Sequence, residues 1–493
     1  MNLSELIKNL KFLEIKGNLN KEISNIAYNS KKINKDGLFI AISGFKKDGH
    51  DFINDAINNG AVAVVTQKKI NSDKNVTQIV VSDCRVALAE ISSNFYQNPS
   101  SKLTLTGVTG TNGKTTTTFL INSILKCSGE KTSFITTIES FILNKKIIFD
   151  RTTPESADLN SFIYESIKSG VKFSTMEVSS HAIDLHRIDY LNYDYFVFTN
   201  LTQDHLDYHI NMQNYFNTKK KLFIKEFRNL YSGKGAIINA DDSYGRQLIK
   251  ETDLQTISYS VYDKNADIIA ENIISNTSGI EMDVFIRSIG KIKIKSALTG
   301  YFNVYNILAA IGLSIFLNID VQWIQKGINK MSGVNGRFEK IQEIKDFTVI
   351  VDYAHTPDGL ENVLKTASSI LTPDGKIITV FGCGGDRDKT KRKIMGSIAG
   401  KISDVVIITS DNPRTEDPLS IIEMIEDGVR ESGNKNYKKI TDRATAINEA
   451  LNMAHKNDIV IIAGKGHEDY QEFNDKRIYF SDQKVVRDWA KNH

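Results

Sequence analysis

What the chain has little of narrows it first. Only three cysteines, Cys84, Cys127 and Cys383, occur in 493 residues. They are too scattered for a metal-binding spacing or a disulfide framework, and a reducing cytoplasm suits such usage. Net charge is nearly nil, 62 Lys and Arg against 59 Asp and Glu, so the balance argues for neither nucleic-acid nor membrane-surface binding. No apolar run approaches the ~18 residues of a membrane span. The opening "MNLSELIKNLKFLEIKG" reads as an amphipathic segment rather than a signal peptide. Of only six prolines, the one in "NPSSK" (98–102) marks a boundary. No internal repeat and no low-complexity tract is visible. What is left, 41% hydrophobic and 25% charged, is the composition of a soluble globular protein, long enough for about three domains.

The most informative stretch is "LTLTGVTGTNGKTTTTFLINSILK" (103–126). The β-branched run Leu103–Val108 predicts a buried strand, and Phe119, Leu120, Ile124 and Leu125 recur at helical spacing. A strand, a glycine turn and a helix opening on Lys-Thr is the layout of a phosphate cradle, in which backbone N–H groups and the helix N-terminus converge on an anion. Lys114 is placed to reach the β/γ-phosphates of ATP, and the Thr115 hydroxyl to ligate Mg²⁺. The usual G-x-x-x-x-G-K-[ST] is broken, since Val108 stands where its first glycine belongs. A glycine-rich turn with no ligand is the alternative, and the Gly-Lys-Thr ending weighs against it.

Residues 1–98 form a first α/β unit: "DGLFIAISG" (36–44) and "GAVAVVTQ" (60–67) read as strands flanking the helix "HDFINDAINNG", with a helix "RVALAEISSNFYQ" after them. Residues 99–332 alternate strands near 133–137, 173–178 and 195–200 with helices after Pro154 and over 211–227, predicting a parallel sheet with right-handed crossovers. A β-rich portion (254–298) and the buried helix "TGYFNVYNILAAIGLSIF" follow. Residues 333–493 open at "SGVNGRFE", whose two glycines suit a hinge, and continue as a doubly wound, Rossmann-like α/β unit. Its strands "FTVIVDY", "KIITVFG", "DVVIITSD" and "DIVIIAG" each run into a polar loop: "DYAHTPD" (352–358), "GCGGDRDKTKR" (382–392), "SDNPRTEDP" (410–418) and "GKGHEDYQ" (464–471). In doubly wound sheets ligands bind outside the strands' carboxyl ends, so this edge is the expected substrate site.

Glu177 and His205 also lie at strand ends, in "MEVSSH" and "NLTQDHLDYH". With Thr115 they are candidates for a metal shell, although Mg²⁺ prefers oxygen and a hydrogen-bonded histidine is the alternative for His205. Lys219-Lys220-Lys221 reads by composition as a solvated basic face, and Asn29-Ser30 as a surface turn. Arg387 and Arg414 suit carboxylate recognition by a planar fork, against an alternative of ion pairs with Asp386, Glu416 or Asp417.

Taken together, "TGTNGKTT", "MEVSSH", "NLTQDHLDYH", "GYFNVYN", "GRFE", "DYAHTPD" and "GCGGDRD", in this order, resemble the Mur ligase family across essentially the whole chain. "DNPR" with a following "EDP" is similar to the signature of that family's diaminopimelate-adding branch. The resemblance implies three domains: a small UDP-binding unit, a central P-loop ATPase and an amino-acid-binding unit. It implies ATP held by Gly110, Thr111, Asn112, Gly113, Lys114, Thr115 and Thr116, with Asn303, Asn306, Arg337, Asp352 and His355 also on the nucleotide. Magnesium would be held by Thr115, Glu177, His205 and a carbamylated Lys219; Lys114, Glu177, His205 and Lys219 would form the catalytic set. The UDP-N-acetylmuramoyl dipeptide would meet Ser30, Thr152, Thr153, Ser179 and Arg187, and meso-diaminopimelate Arg387, Asp411, Asn412, Pro413, Arg414, Gly464 and Glu468. Arg151, where an asparagine is expected, and Leu185, where a polar residue is expected, weaken individual substrate contacts. A cytoplasmic monomer is the expectation.

The reaction so implied starts from a carboxylate, a poor acyl donor, that attacks the γ-phosphate of ATP to give an acyl phosphate. An amine then attacks, while closure of the third domain excludes water. A lysine-adding sister enzyme, a folylpolyglutamate synthetase or a non-catalytic nucleotide-binding module are the rivals. Arg414 and "HTPD" disfavour the first two, and the intact Lys114, Glu177, His205 and Lys219 the last.

Overall fold

The computed structural model describes residues 1–44, 47–70, 75–225, 233–474 and 476–493, without the side chain of Asp207. It divides into two compact units, residues 1–267 with 309–323, and residues 268–308 with 324–493. Among the described residues no helix is long and apolar enough to cross a membrane.

The first unit holds two sheets. Near the N-terminus the strands Asn25–Ala27, Gly37–Ile40, Ala61–Thr66 and Thr77–Val80 are parallel neighbours in that order, and Glu14–Lys16 closes the far edge antiparallel. Strand side chains alternate between faces. Leu38, Ile40, Ala63 and Val65 therefore meet the helix Cys84–Phe95 in one core, while Phe39, Ala41 and Val64 meet the helix Ile53–Asn58 in another.

The second sheet runs Gln255–Ser260, Gly235–Asn239, Tyr195–Phe198, Thr104–Thr109, Phe173–Glu177, Thr132–Ile135, all parallel, and ends in an antiparallel hairpin, Ser140–Ile142 with Lys145–Ile147. Thr104–Thr109 pairs with Phe173–Glu177 on one side and Tyr195–Phe198 on the other. Its loop therefore opens where the strand order reverses, the usual ligand crevice of such sheets. Three threonines and a glycine within Thr104–Thr109 do not weaken it, because both neighbours are paired and its residues from Leu105 on are buried. The helix expected over 211–227 spans Met212–Lys220, and residues 226–227 of that expectation lie outside the described residues.

In the second unit Ile268–Asn276, Gly279–Ile286 and Gly290–Ser296 form an antiparallel meander with a bulge between Glu271 and Ile274. The six-stranded sheet runs Glu339–Lys340, Thr348–Asp352, Ile459–Ala463, Ile377–Phe381, Val405–Ile408, Tyr437–Lys439, parallel apart from the first strand. Ile350, Phe381 and Ile408 face the helices Pro357–Ile370, Thr390–Ile402 and Pro418–Glu431; Val349, Val351 and Ile407 face Arg443–Met453 and Asp482–Asn492. Gly336, read above as part of a hinge, packs closely against the backbone of His467. It has φ 64°, and a Cβ there would lie 2.2 Å from the His467 nitrogen.

Candidate active site

In the first unit the glycine loop turns from Thr109 into the helix Lys114–Cys127. Gly110 has φ 143°, and a Cβ there would lie 1.9 Å from Thr199 Oγ1, so only glycine fits. Gly113, in the left-handed region at φ 86°, is the residue before the helix. The loop is clamped to the segment after Tyr195–Phe198: Thr111 N donates to Asn200 O (2.9 Å), Asn112 N to Asn200 Oδ1 (3.0 Å), and Thr199 Oγ1 to Asn112 O (2.6 Å). Lys114 Nζ folds back onto the carbonyls of Gly110 (3.0 Å) and Thr111 (2.7 Å). Thr116 is buried in the first helical turn.

Thr115 Oγ1 donates to Glu177 Oε1 at 2.7 Å, and Thr137 donates to the same carboxylate through its nitrogen (3.0 Å) and hydroxyl (3.1 Å). Lys219 is 1% exposed, with Nζ donating to Thr109 Oγ1 (3.3 Å) and Gly110 O (3.1 Å) and lying 4.8 Å from the Tyr215 ring centroid. The reading of Lys219 as one of a solvated basic run is thereby corrected. It sits on the inner face of its helix, where removal from water, and next the charge of Lys114, pull its pKa well below 10.5. His205 is half-exposed, in the left-handed region at φ 54°, with Nε2 3.3 Å from Asp204 Oδ2 and its ring edge-on to His181 at 4.9 Å. Among the described residues, no three His, Cys, Asp or Glu side chains come together as a metal cluster. The donors that do meet, Thr115 Oγ1 and the Glu177 carboxylate, are oxygens, the ligand type that Mg²⁺ prefers.

The candidates for the sugar dipeptide largely gather around Thr153 and the backbone of Glu177. Thr152 Oγ1 lies 3.0 Å from Thr137 Oγ1, and Thr153 Oγ1 donates to Glu177 O (2.8 Å). Ser179 N donates to Thr153 Oγ1 (3.1 Å) while its hydroxyl caps the helix Ser180–Asp184, and Arg187 Nη1 donates to Thr153 O (3.1 Å). Ser30 lies apart from them, at the start of the 3-10 turn Ser30–Lys32 after the strand Asn25–Ala27, capped by Asn29 and with its carbonyl accepting from Asn59 (2.9 Å). Leu185 ends the helix Ser180–Asp184, and Arg151 pairs with Glu155.

In the second unit, Asp352 is buried and accepts from Phe338 N (2.6 Å) and Ala354 N (2.7 Å); burial raises its pKa, against the opposing charge of Arg337. Arg337 lies 5.0 Å over the Tyr353 ring, with Nε buried and without a hydrogen-bond partner. Exposed His355 has Nδ1 2.8 Å from Tyr353 O. Asn303 and Asn306 are buried and joined by a 2.8 Å hydrogen bond, with Asn303 also donating to Thr299 O.

Asn412 Nδ2 donates to Glu468 Oε2 (3.1 Å), and its Oδ1 accepts from Lys465 Nζ (3.1 Å) and Glu472 N (3.0 Å). A Cβ on Gly464 would lie 2.7 Å from Asp411 Oδ2, which puts these two strand ends in contact. Arg414, at φ 53°, donates Nε to Glu472 Oε2 (2.9 Å) and Nη1 to Gly385 O (2.7 Å). Pro413 O accepts from Glu416 N at 3.1 Å. Arg387 is exposed and bonds only its neighbour's carbonyl, Asp386 O (3.0 Å), among the hydrogen bonds found. Glu416, offered above as an ion-pair partner for these arginines, is taken instead by Arg392, which holds its pKa down to about 2. Sequence reasoning missed Lys465, fully buried against Glu468, and Glu472, the carboxylate that orients Arg414. Lys465 lay within "GKGHEDYQ", where an apolar strand running into Gly-Lys-Gly was the available signal; Glu472 had none.

The chain matches known proteins along its length. Residues 22–96 match the model of the Mur ligase family, catalytic domain; 108–314 that of the Mur ligase middle domain; and 336–466 that of the Mur ligase, glutamate ligase domain. The chain is 44% identical over 488 residues to a UDP-N-acetylmuramoyl-L-alanyl-D-glutamate–2,6-diaminopimelate ligase of Caldanaerobacter subterraneus, covering 99% of this chain and 98% of that one. It is 43% identical over 493 residues to the UDP-N-acetylmuramoyl-L-alanyl-D-glutamate–2,6-diaminopimelate ligase 1 of Clostridium acetobutylicum, covering 100% and 99%. A solved structure of a ligase of that name superposes with TM-score 0.70 at 31% identity, covering 100% and 99%.

Proposed function

The chain belongs to the Mur ligase family, and on that premise we propose that it joins meso-diaminopimelate to the D-glutamate side-chain carboxylate of UDP-N-acetylmuramoyl-L-alanyl-D-glutamate, with ATP as co-substrate, in peptidoglycan precursor synthesis. The observation that carries the reading is the meeting of the Thr115–Glu177 pair, the loop Gly110–Thr116 and buried Lys219 at one sheet edge. The backbone of that loop and Lys114 hold the phosphates. Lys114 offsets the repulsion between the attacking carboxylate and the γ-phosphate and stabilises the transferring phosphoryl. ADP leaves as the acyl phosphate forms; the diaminopimelate amine then attacks the acyl carbon, releasing phosphate and a proton and giving the amide.

Mg²⁺, when bound through Thr115 and Glu177, neutralises charge developing on the phosphate oxygens. Burial pulls the pKa of Lys219 well below 10.5, which favours the free amine that would add CO₂ and lose a proton to become a carbamate offering two ligand oxygens. Thr152, Thr153, Ser179 and Arg187 orient the dipeptide, with Ser30 toward the nucleotide. Asn303, Asn306, Arg337, Asp352 and His355 contact ATP. Arg387, Asp411, Asn412, Pro413, Arg414, Gly464 and Glu468 form the amino-acid pocket. Domains 1–98, 99–332 and 333–493 carry these tasks in a cytoplasmic monomer.

The test is incubation with ATP, Mg²⁺ and the nucleotide dipeptide, with diaminopimelate or lysine offered separately and the product weighed by mass spectrometry. A product with diaminopimelate alone is expected. No product with either amino acid overturns the reading.

A further inference from the structure

Two fully buried cations meet the end of the strand Ile459–Ala463, and they are used differently. Arg443 holds the scaffold, through Asp482 and the carbonyls of Ser410 and Ala463. Lys465, two residues past the strand, bonds no backbone carbonyl among the hydrogen bonds found. Its Nζ donates to Asn412 Oδ1 (3.1 Å) and Glu468 Oε2 (2.9 Å) and lies 5.3 Å from the Tyr470 ring centroid. Both acceptors belong to the amino-acid pocket assigned above, whereas Lys465 has no role there. Gly464 (φ 116°) and Gly466 (φ 52°) flank it, in backbone conformations that side chains rarely adopt, and so turn the chain tightly enough to bury a lysine at a loop.

The ammonium dictates which way its neighbours face. Asn412 Oδ1 accepts from Lys465 Nζ and also from Glu472 N (3.0 Å), so turning the amide over would set an NH₂ group against two donors. Nδ2 is thereby directed at Glu468 Oε2 (3.1 Å). That one carboxylate oxygen takes both donors, while Oε1 takes none among the hydrogen bonds found. Glu468 keeps 17% of its side chain exposed and Lys465 none, so a ligand meets the carboxylate and not the buried ammonium. A methionine in place of Lys465 would fill the same space and leave the amide free to turn.

We propose that Lys465 is a positioning residue for the incoming amino acid: it locks the Asn412 amide and one oxygen of Glu468, so that Glu468 Oε1 is presented at a fixed place to an ammonium group of the substrate. That role rests on the amino-acid pocket proposed above. Charge-assisted hydrogen bonds hold their geometry better than neutral ones, and a carboxylate ordered in advance loses less freedom when the ligand arrives. Lys465 acts through Glu468 and touches no substrate atom itself.

The experiment follows steady-state amide formation by wild type, Lys465→Met, Glu468→Gln and the double variant, with diaminopimelate and ATP varied in turn and melting temperatures recorded. Lys465→Gln, which keeps a donor without the charge, is carried alongside. For Lys465→Met the KM for diaminopimelate should rise roughly tenfold or more, the scale of a charged hydrogen bond. Its kcat and its KM for ATP should stay within about twofold of wild type, the mark of a lost binding contact. In the Glu468→Gln background the same substitution should add less than about twofold, because the two residues act as one unit. A residue that only holds the fold would instead move both KM values together and equally in the two backgrounds. That result overturns the positioning role, as does an unchanged KM for diaminopimelate or loss of the fold in both Lys465 variants. Wild type is assayed first: no amide with diaminopimelate overturns the activity proposed above, and the series is then read with lysine, whose ammonium groups would meet the same carboxylate.

Discussion

Thr115 Oγ1 and Glu177 Oε1 are 2.7 Å apart, joining the first turn of the helix after the glycine loop to the last residue of the neighbouring strand. The hydroxyl donates to the carboxylate, which also accepts from the nitrogen and hydroxyl of Thr137. The carboxylate is thereby held in one orientation by Thr115 and Thr137. Such preorganisation spares the site from rearranging as charge develops.

Glu177→Gln separates the charge of this pair from its shape. The amide oxygen still accepts from Thr115 or Thr137, so the melting temperature should stay within a few degrees of wild type. Turnover should fall by about a hundredfold or more, the usual scale for losing an electrostatic contact at a reacting phosphate. The Mg²⁺ concentration for half-maximal rate should rise. An unchanged Mg²⁺ requirement removes Glu177 from the metal site.

Lys219 couples stability to pH in a known direction. Its folded-state pKa lies below the ordinary 10.5. As pH falls through the unfolded value near ~10.4, the unfolded chain takes up a proton that the folded chain refuses, so stability is lost on the acid side. Lys219→Met should therefore raise the melting temperature at pH 7 in CO₂-free buffer, with the gain shrinking toward pH 10.5. The same variant should abolish amide formation, and wild-type turnover should rise when bicarbonate is restored. A variant that is both less stable and fully active removes Lys219 from this role.

The second unit has its own internal ion pair. Arg443 is fully buried, with Nε and Nη2 each 2.8 Å from the oxygens of fully buried Asp482, and Nη2 also reaches Ala463 O (3.0 Å) at a strand end. Asp482→Ala leaves a guanidinium uncompensated and should cost about 3–5 kcal/mol in denaturant unfolding. The paired replacement Arg443→Met with Asp482→Leu should recover most of that loss, because it removes both charges. Equal destabilisation by single and double variants contradicts this account.

Local chemistry made the strands and the phosphate loop legible. β-branched runs ending in glycine, such as "TLTGVT" and "DIVIIAG", fall within a residue or two of Thr104–Thr109 and Ile459–Ala463. The edge strands Lys145–Ile147 and Tyr437–Lys439 carry lysines and no alternation, since an edge faces solvent, and they gave no signal. Lys219 could not be separated from Lys220 and Lys221 by composition; only the helix face distinguishes them. The bond between Arg85 and Glu155 was invisible because the two lie 70 residues apart in sequence. Glu472 was missed for the same reason, at a separation of 58 from Arg414.

That separation matters for the choice of amino acid. Glu472 takes Nε of Arg414 and Gly385 O takes Nη1, which fixes the plane of the guanidinium. Lysine is diaminopimelate without its distal carboxylate, so a fixed guanidinium has a use only for the latter. Arg414→Ala should lower diaminopimelate incorporation by at least about a hundredfold, the equivalent of the ~3 kcal/mol lost with a charged hydrogen-bonding partner. ATP binding, measured separately by titration, should change by less than about twofold. Glu472→Gln keeps an acceptor for Nε, so it should preserve most of the preference for diaminopimelate over lysine. Glu472→Ala frees the guanidinium and should erode that preference. Equal losses of diaminopimelate and ATP binding in Arg414→Ala sink the assignment, because they mark a residue that holds the fold rather than the carboxylate.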